Sequence, residues 1–520
     1  QKINDDFSFD GLLGGNFNQR DFRSLNANII GLTIPEFYEL SNSSAPPTAT
    51  TTYTKRRLFG AYAQANFGYK NYLFLSLNAR NDWASTLPTG SNSYFYPAAN
   101  MSFVLSDAVK NLDKAGISFA KLRASYGMTG NDAAPYLTES LLTSGAVVLG
   151  FGNLTFPLNG INGFEIANQL GNGQLKPEKT TEFEIGADVK FFKNRLGIDF
   201  AYYNKNTKDQ ILPVTTAATS GYTSLITNFG KVQNKGIEVS LTGTPIKSTD
   251  FAWDLTYVFS RNRNKVLELP LGLEEVVINN GYDVDFVATV GQPLGVYKGP
   301  TEKRDPQGNI IVNPATGLPL QADSKEVYGN SQRDYVMGLT NRFTYKDWAL
   351  GFSFDYRKGG MFWSYTSQLN DFVGNSKRTL FNDRNPYIIP GSVNESTDAD
   401  GNVVYTENKT PISIGGVATN WSNGDNTQFE SRQTVMDKTS LKMRDITLSY
   451  TLPKTIASRL KASNITLTAY GRNLFIWLPA ENTFVDPEVS TYNNDLSGEL
   501  GEFASGPSTR SYGISLKATF

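Results

Sequence analysis

Apolar and polar residues change places at every second position along this chain, from one end to the other. That period fits an extended strand with one greasy and one wet face, since a helix would bring its apolar residues back every three or four positions. Phe183, Ile185, Ala187, Val189 and Phe191 share one parity, and Glu182, Glu184, Asp188 and Lys190 share the other. The next run sets Leu196, Ile198, Phe200 and Tyr202 against Gly197, Asp199 and Ala201. Phe251, Trp253, Leu255, Tyr257 and Phe259, or Leu350, Phe352, Phe354 and Tyr356, repeat the pattern later.

About 14 strands of roughly ten residues are predicted, the length a tilted strand needs to cross a bilayer. They begin near Phe7, Arg57, Tyr72, Tyr94, Phe119, Thr181, Leu196, Lys231, Phe251, Tyr335, Trp348, Thr439, Asn464 and Ser511. Leu441 and Met443 lie on one parity while Ile446, Leu448 and Tyr450 lie on the other, so a bulge is expected near Arg444 and Asp445. Tight links such as Gly68-Tyr69-Lys70-Asn71, Lys193-Asn194-Arg195 and Tyr345-Lys346-Asp347 alternate with long ones over 22–54, 131–180, 207–228, 261–334, 358–437 and 478–509. The long links are rich in Gly, Pro, Asn, Ser and Thr. Outer-membrane barrels alternate in this way, with short periplasmic turns and long extracellular loops.

Composition removes many chemistries. The 520 residues contain no His and no Cys, which excludes catalytic imidazoles, HExxH zinc sites, cysteine nucleophiles, disulfides and iron–sulfur ligation. The 48 basic and 49 acidic residues leave a net charge of −1, so no basic stripe marks a nucleic-acid partner. No apolar run reaches the roughly 18 residues of a transmembrane helix, and the opening Gln1-Lys2-Ile3-Asn4-Asp5 does not read as a signal peptide. A membrane role would fall to strands.

A soluble sandwich alternates too. Strand length, the alternation of turn lengths and the aromatics at the ends of apolar stripes favour a barrel, as does the strand count. The chain closes on Tyr512, Ile514, Leu516 and Phe520, alternating with Gly513, Ser515 and Lys517, as an amphipathic assembly strand would. The expected fold is therefore an all-β transmembrane antiparallel barrel. Phe183, Ile185, Ala187, Val189, Phe191, Leu196, Ile198 and Phe200 are expected to face lipid, and Glu182, Glu184, Asp188 and Lys190 the lumen. Both chain ends then fall on the periplasmic side.

Several stretches resemble conserved barrel segments of SusC/RagA-type TonB-dependent outer-membrane transporters. They include Arg80-Asn81-Asp82-Trp83-Ala84-Ser85-Thr86-Leu87-Pro88, Ser93-Tyr94-Phe95-Tyr96-Pro97 and Leu175-Lys176-Pro177-Glu178-Lys179-Thr180-Thr181-Glu182. Asn234-Lys235-Gly236-Ile237-Glu238, Leu448 through Lys454, Gly471-Arg472-Asn473-Leu474-Phe475 and the closing Pro507 through Phe520 continue the likeness in order. The resemblance implies TonB-energised import of an oligosaccharide or peptide across a Gram-negative outer membrane, with a SusD-like surface lipoprotein as lid. Such barrels have about 22 strands and a plug. Residues 1–520 would be the C-terminal portion, lacking the plug, the TonB-contacting segment and about eight strands, which another segment or chain would supply.

Other chemistry reads weakly. Asp398-Ala399-Asp400-Gly401-Asn402 resembles the start of a calcium loop, yet Pro411 stands where its last acidic ligand belongs, so a turn is expected. Asp305-Pro306-Gln307-Gly308-Asn309 likewise reads as a β-turn, and Gly171-Asn172-Gly173 as loop flexibility. No metal, cofactor or catalytic residue is assigned. Glu182 and Glu184 as a glycosidase pair, and a surface β-rich binding protein or adhesin, are the competing readings. Trp363, Tyr365 and Trp421 in the long loops suit stacking on sugar rings, packing of the loops or contact with a lid protein, and the sequence does not separate these.

Overall fold

The computed structural model describes residues 3–520 apart from 150–151, 157, 282–283, 413–429, 483–484 and 492–495. Fourteen strands form one large antiparallel sheet in unbroken chain order. They are β1 (Phe7–Asn28), β2 (Thr48–Tyr69), β3 (Leu73–Ala84), β4 (Ser93–Val104), β5 (Ile117–Asn131), β6 (Glu178–Phe191) and β7 (Leu196–Thr215). The second half comprises β8 (Ser224–Lys247), β9 (Phe251–Glu268), β10 (Tyr335–Tyr345), β11 (Trp348–Lys358), β12 (Ser440–Thr451), β13 (Asn464–Trp477) and β14 (Ser511–Thr519).

Every predicted strand is present, but several run far beyond ten residues. β1 and β2 each have 22 residues and β8 has 24. The β1–β2 ladder continues to Asn28↔Thr48, through a threonine-rich stretch with no apolar stripe. Backbone pairing extends a strand wherever a neighbour continues beside it, whereas side-chain alternation marks only the part with two unlike surroundings.

The register is set by apolar side chains of one parity. Phe7 faces Tyr69, Phe9 faces Phe67 and Phe17 faces Phe59 across β1 and β2. Trp253 faces Phe343 across β9 and β10, their rings stacked at 5.6 Å. One polar residue interrupts this stripe: Asn341, buried, accepts the Trp253 indole N–H at 3.1 Å. The three-residue turn after β2 holds Lys70 and Asn71 at φ of 47° and 61°, and Tyr69 pairs with Leu73 across it. The bulge falls where the parity change predicts it: Met443 and Asp445 face the adjacent Phe354 and Ser353 of β11, so Arg444 is the extra residue on that side, while Asn473 and Leu474 of β13 lie opposite it on the other.

The long connections are folded rather than loose. Glu275–Gly281, Val284–Thr289, Val296–Gly299 and Glu326–Asn330 form a four-stranded sheet. Met361–Ser364 lies between Val435–Asp437 and Gly501–Glu502 in another. The Asp305 and Asp398 segments are turns as expected: each carboxylate accepts backbone N–H groups from two and four residues on. Gly171 departs from the expectation of flexibility. A Cβ there would lie 2.2 Å from the Glu139 carbonyl carbon, so the glycine permits a close backbone approach.

Contacts divide the chain into two units. The first, Gln1–Ser102 with Ala124–Phe183 and Asn206–Lys231, has a core of Ala84, Leu87, Tyr94, Ala133, Leu175 and Ile226. Three of the stretches that carry the family likeness thus meet in one cluster. Beside it the buried Asp132 carboxylate accepts Arg56 Nε–H at 2.8 Å and the Thr86 hydroxyl at 2.7 Å. The second unit, Phe103–Arg123 with Glu184–Lys205 and Val232–Phe520, contains the remaining long connections. Replacing the fully buried Leu175 by Ala should destabilise the first cluster by about 2 to 5 kcal/mol through lost burial and the cavity left behind. Hydrogen exchange should accelerate through residues 84–94, and unchanged protection there would contradict this packing.

Candidate functional site

The polar parity of the sheet carries an organised set of charges. Arg123 on β5 donates two hydrogen bonds of 2.9 Å to Asp199 on β7 and approaches Glu184 on β6 at 3.4 Å. Gly186 leaves room for this guanidinium, since a Cβ there would lie 2.6 Å from Arg123 Cζ. Glu184 is therefore held as part of a wall. Phe183, Ile185 and Phe200 project as exposed side chains on the opposite parity, while Ala187, Val189, Phe191, Leu196 and Ile198 are part-exposed. Glu182, Asp188 and Lys190 are part-buried, and Lys190 Nζ lies 5.2 Å from the Phe119 ring centroid. Tyr512, Ile514, Leu516 and Phe520 are all exposed.

The long connections of the second unit build a core of their own from Val284, Phe286, Tyr297, Trp363, Val435 and Leu500. Trp363 is fully buried, and Tyr365 stacks on Phe503 at 4.0 Å, so these two aromatics pack loops. Trp421 lies outside the described residues. The Tyr297 hydroxyl donates to the Glu499 and Leu500 carbonyls at 2.6 and 3.0 Å. The fully buried Glu502 carboxylate accepts the hydroxyls of Ser364 and Thr366 and the backbone N–H groups of Thr366 and Ser505. A buried carboxylate is tolerated when its lone pairs are filled in this way, and here it staples 478–509 to the 359–439 connection.

Between these loops and the long-connection ends of β9, β10 and β11 lies a cavity of about 670 Å³. Ser260, Asn262 and Asn264 enter it from the polar parity of β9. Asn262 and Asn264 both donate to the Asn234 side-chain carbonyl at 2.9 Å, and Asn264 accepts the Leu294 N–H at 2.8 Å. Gly359 and Gly360, at φ of 74° and 79°, let the chain leave β11 close to the cavity. At Gly360 a Cβ would sit 2.8 Å from the Ser331 carbonyl oxygen.

Five charged side chains line this space: Arg333, Arg357, Lys438, Glu488 and Glu499. Lys438 Nζ pairs with Glu499 at 2.8 Å, and Arg357 Nη1 pairs with Glu488 at 2.8 Å. Glu488 also receives Arg444 and Lys442, and Lys442 reaches Asp486 at 2.6 Å. Arg333 instead donates to the Lys438 backbone carbonyl. Burial pushes the Lys438 ammonium down from its ordinary value against the pull of Glu499. Burial, reinforced by Arg357, brings Arg333 down to about 10, still charged at neutral pH. For Glu488 burial acts upward, but hydrogen bonds from Arg444 and Lys442 outweigh it and hold the carboxyl at about 2.

Sequence periodicity could not find these residues, apart from Arg357, which shares its parity with Asp355 on β11. Arg333, Lys438 and Glu488 sit on irregular backbone and Glu499 in a single 3-10 turn, Leu496–Leu500, too short to show a period. The available signal was indirect: cations at the junctions of long loops with strands. Among the described residues no cluster of three or more metal-ligating side chains is present.

The TonB dependent receptor-like, beta-barrel family matches residues 2–474. TonB-dependent receptor P3 of Formosa agariphila is 24% identical over the whole of this chain and half of its own length. TonB-dependent receptor SusC of Bacteroides thetaiotaomicron is 24% identical over 58% of this chain and 31% of its own. The solved RagAB peptide transporter superposes with a TM-score of 0.73 over 99% of this chain and 54% of its own, at 18% identity, a likeness of fold. The chain spans about half the length of the curated relatives that match it from end to end.

Glu488 gives the site a pH signature. Its folded pKa lies below the ordinary 4.5, so its contribution to stability is present above that value and is lost as pH falls toward about 2. Fluorescence of the loop-buried tryptophan should report loosening of 478–509 across that window. Glu488→Gln should show the loosened signal already at neutral pH, and identical titrations of the two proteins would refute the role given to this carboxylate.

Proposed function

The chain belongs to the TonB-dependent receptor-like β-barrel family, and on that premise we propose that it forms the C-terminal barrel wall of a SusC/RagA-type outer-membrane importer. The importer takes up an oligosaccharide or peptide under TonB energisation, with a SusD-like lipoprotein closing over the long loops. The observation that carries this reading is the sheet's division of labour. Large apolar side chains are exposed on one parity, and the other parity carries paired charges and supplies the polar cavity beside the long loops. A contiguous apolar surface of that kind is unfavourable in water by about 25 cal/mol per Å² and is at home in hydrocarbon.

In that setting Phe183, Ile185, Ala187, Val189, Phe191, Leu196, Ile198 and Phe200 face lipid, and Glu182, Glu184, Asp188 and Lys190 face the lumen. Tyr512, Ile514, Leu516 and Phe520 form the assembly strand. The sheet path has β1 at one end and β14 at the other, and both strands are exposed along nearly their whole length. Each unpaired backbone group costs several kcal/mol in hydrocarbon. On this reading the remaining strands and the plug that meets TonB come from another segment or chain. This portion performs no bond chemistry: it holds a rigid, backbone-satisfied wall and presents a folded vestibule to substrate and lid.

Two measurements test this. Uptake of labelled oligosaccharides and peptides by cells carrying the whole transporter should stop when the proton gradient is collapsed, and gradient-independent uptake would refute an energised importer. In a bilayer, Ile185→Arg should cost about 2 to 4 kcal/mol near the midplane. Glu184→Gln should cost about 0 to 1 kcal/mol, because Arg123 keeps its two bonds to Asp199. Equal losses for the two variants would overturn the face assignment.

A further inference from the structure

We propose that the cavity beside Arg333 is a binding site for a single carboxylate on the transported molecule. The proposal rests on the importer reading above and names the chemistry of what the vestibule holds. Its basis is the pairing of charges around the cavity. Glu499 is held by Lys438 at 2.8 Å, and Glu488 by Arg357 at 2.8 Å together with Arg444. Asp334, next to Arg333 in the chain, is taken by Arg263 at 3.2 Å. The Arg333 guanidinium meets none of them within ion-pair distance among the described residues, and its side chain donates to one backbone carbonyl, that of Lys438.

A guanidinium has five N–H donors in a planar fork. One donor serves Lys438, and the group is part-buried in the wall of a 670 Å³ cavity. Glu499, Glu488 and Asp355 act on this cation only from beyond ion-pair distance, and an anion entering beside it supplies the close partner it lacks. Carboxylate matches the fork with two parallel bonds, which a lysine could not reproduce. The cavity volume suits a small ligand. Ser260, Ser331 and Gln332 offer neutral hydrogen-bonding groups for the rest of the molecule.

The same pairing limits the charge accepted. Arg333, Arg357 and Lys438 against Glu488 and Glu499 leave one positive charge along the lining. One carboxylate neutralises it, and a second negative group would meet Glu488 and Glu499. The site therefore selects a molecule with one acidic group at the bound end. A peptide C-terminus and a uronate sugar both supply that group.

Calorimetric titration of the purified whole transporter with its lid separates the sources. The probes are tetra-alanine and its C-terminal amide, and a trigalacturonate carrying one free carboxylate (the other two as methyl esters) with its fully esterified counterpart. At least one acid should bind about tenfold more tightly than its neutral partner, as a charge-assisted hydrogen bond provides. A preference in one arm identifies the source, and preferences in both support the shared carboxylate chemistry. Arg333→Gln should abolish the preference, and Arg333→Lys should restore only part of it. Equal affinities within both pairs, binding of none of the four, or a preference that survives Arg333→Gln would overturn the proposal. Because binding is read directly, energised uptake with no acid preference would sink this inference alone. Loss of gradient-dependent uptake would sink the importer reading instead.

Discussion

Everything in this molecule depends on the hydrogen-bond ladder between neighbouring strands. In a sheet whose apolar side chains are exposed, the backbone polar groups must be satisfied within the sheet, because a surface of Phe, Leu and Ile leaves no room for water to do it. Once the ladder is fixed, side chains alternate between its two faces without further instruction. The cross-strand pairs Phe9 with Phe67 and Trp253 with Phe343 lock that alternation in register. A slip of one residue would turn Glu184 and Ile185 to each other's side. The ladder thus decides both what the sheet shows to its surroundings and what it shows to the cavity.

The second level of organisation lies in the long connections. They would cost much conformational entropy if each were ordered alone. They instead share one small core around Trp363, Tyr297 and Leu500, and share buried polar fastenings such as Glu502. The cavity walls are therefore set by three connections that order one another, and the sheet strands supply Ser260, Asn262, Asn264, Tyr335, Val336 and Arg357 in fixed positions.

This division explains what could be read from the chain beforehand. All fourteen strands, the parity of their faces and the irregularity at Arg444 were legible, because each leaves a periodic mark on neighbouring residues. Strand ends were not: from Thr48 to Thr54 the ladder continues on backbone bonds alone and leaves no alternation to see. Asn341 was missed for the opposite reason, being a polar residue made acceptable inside an apolar stripe by the Trp253 indole, 88 positions away. The small sheets in the connections, the burial of Trp363 and the grouping of Arg333, Lys438, Glu488 and Glu499 arise from contacts between distant segments. Such grouping has no spacing to betray it.

The extra residue in β12 has a consequence for the cavity rim. Along a regular strand, successive side chains on one face stand about 7 Å apart, too far for two cations to grip a single carboxylate comfortably. At the irregularity Lys442 and Arg444 both reach Glu488, while Asp445 resumes the same face and accepts the Ser353 hydroxyl. Deleting position 444 would even the pairing with β11, would leave both Asn473 and Leu474 of β13 without a partner, and would remove one of the three cations that hold Glu488. A single position thus couples the strand ladder to the segment it anchors.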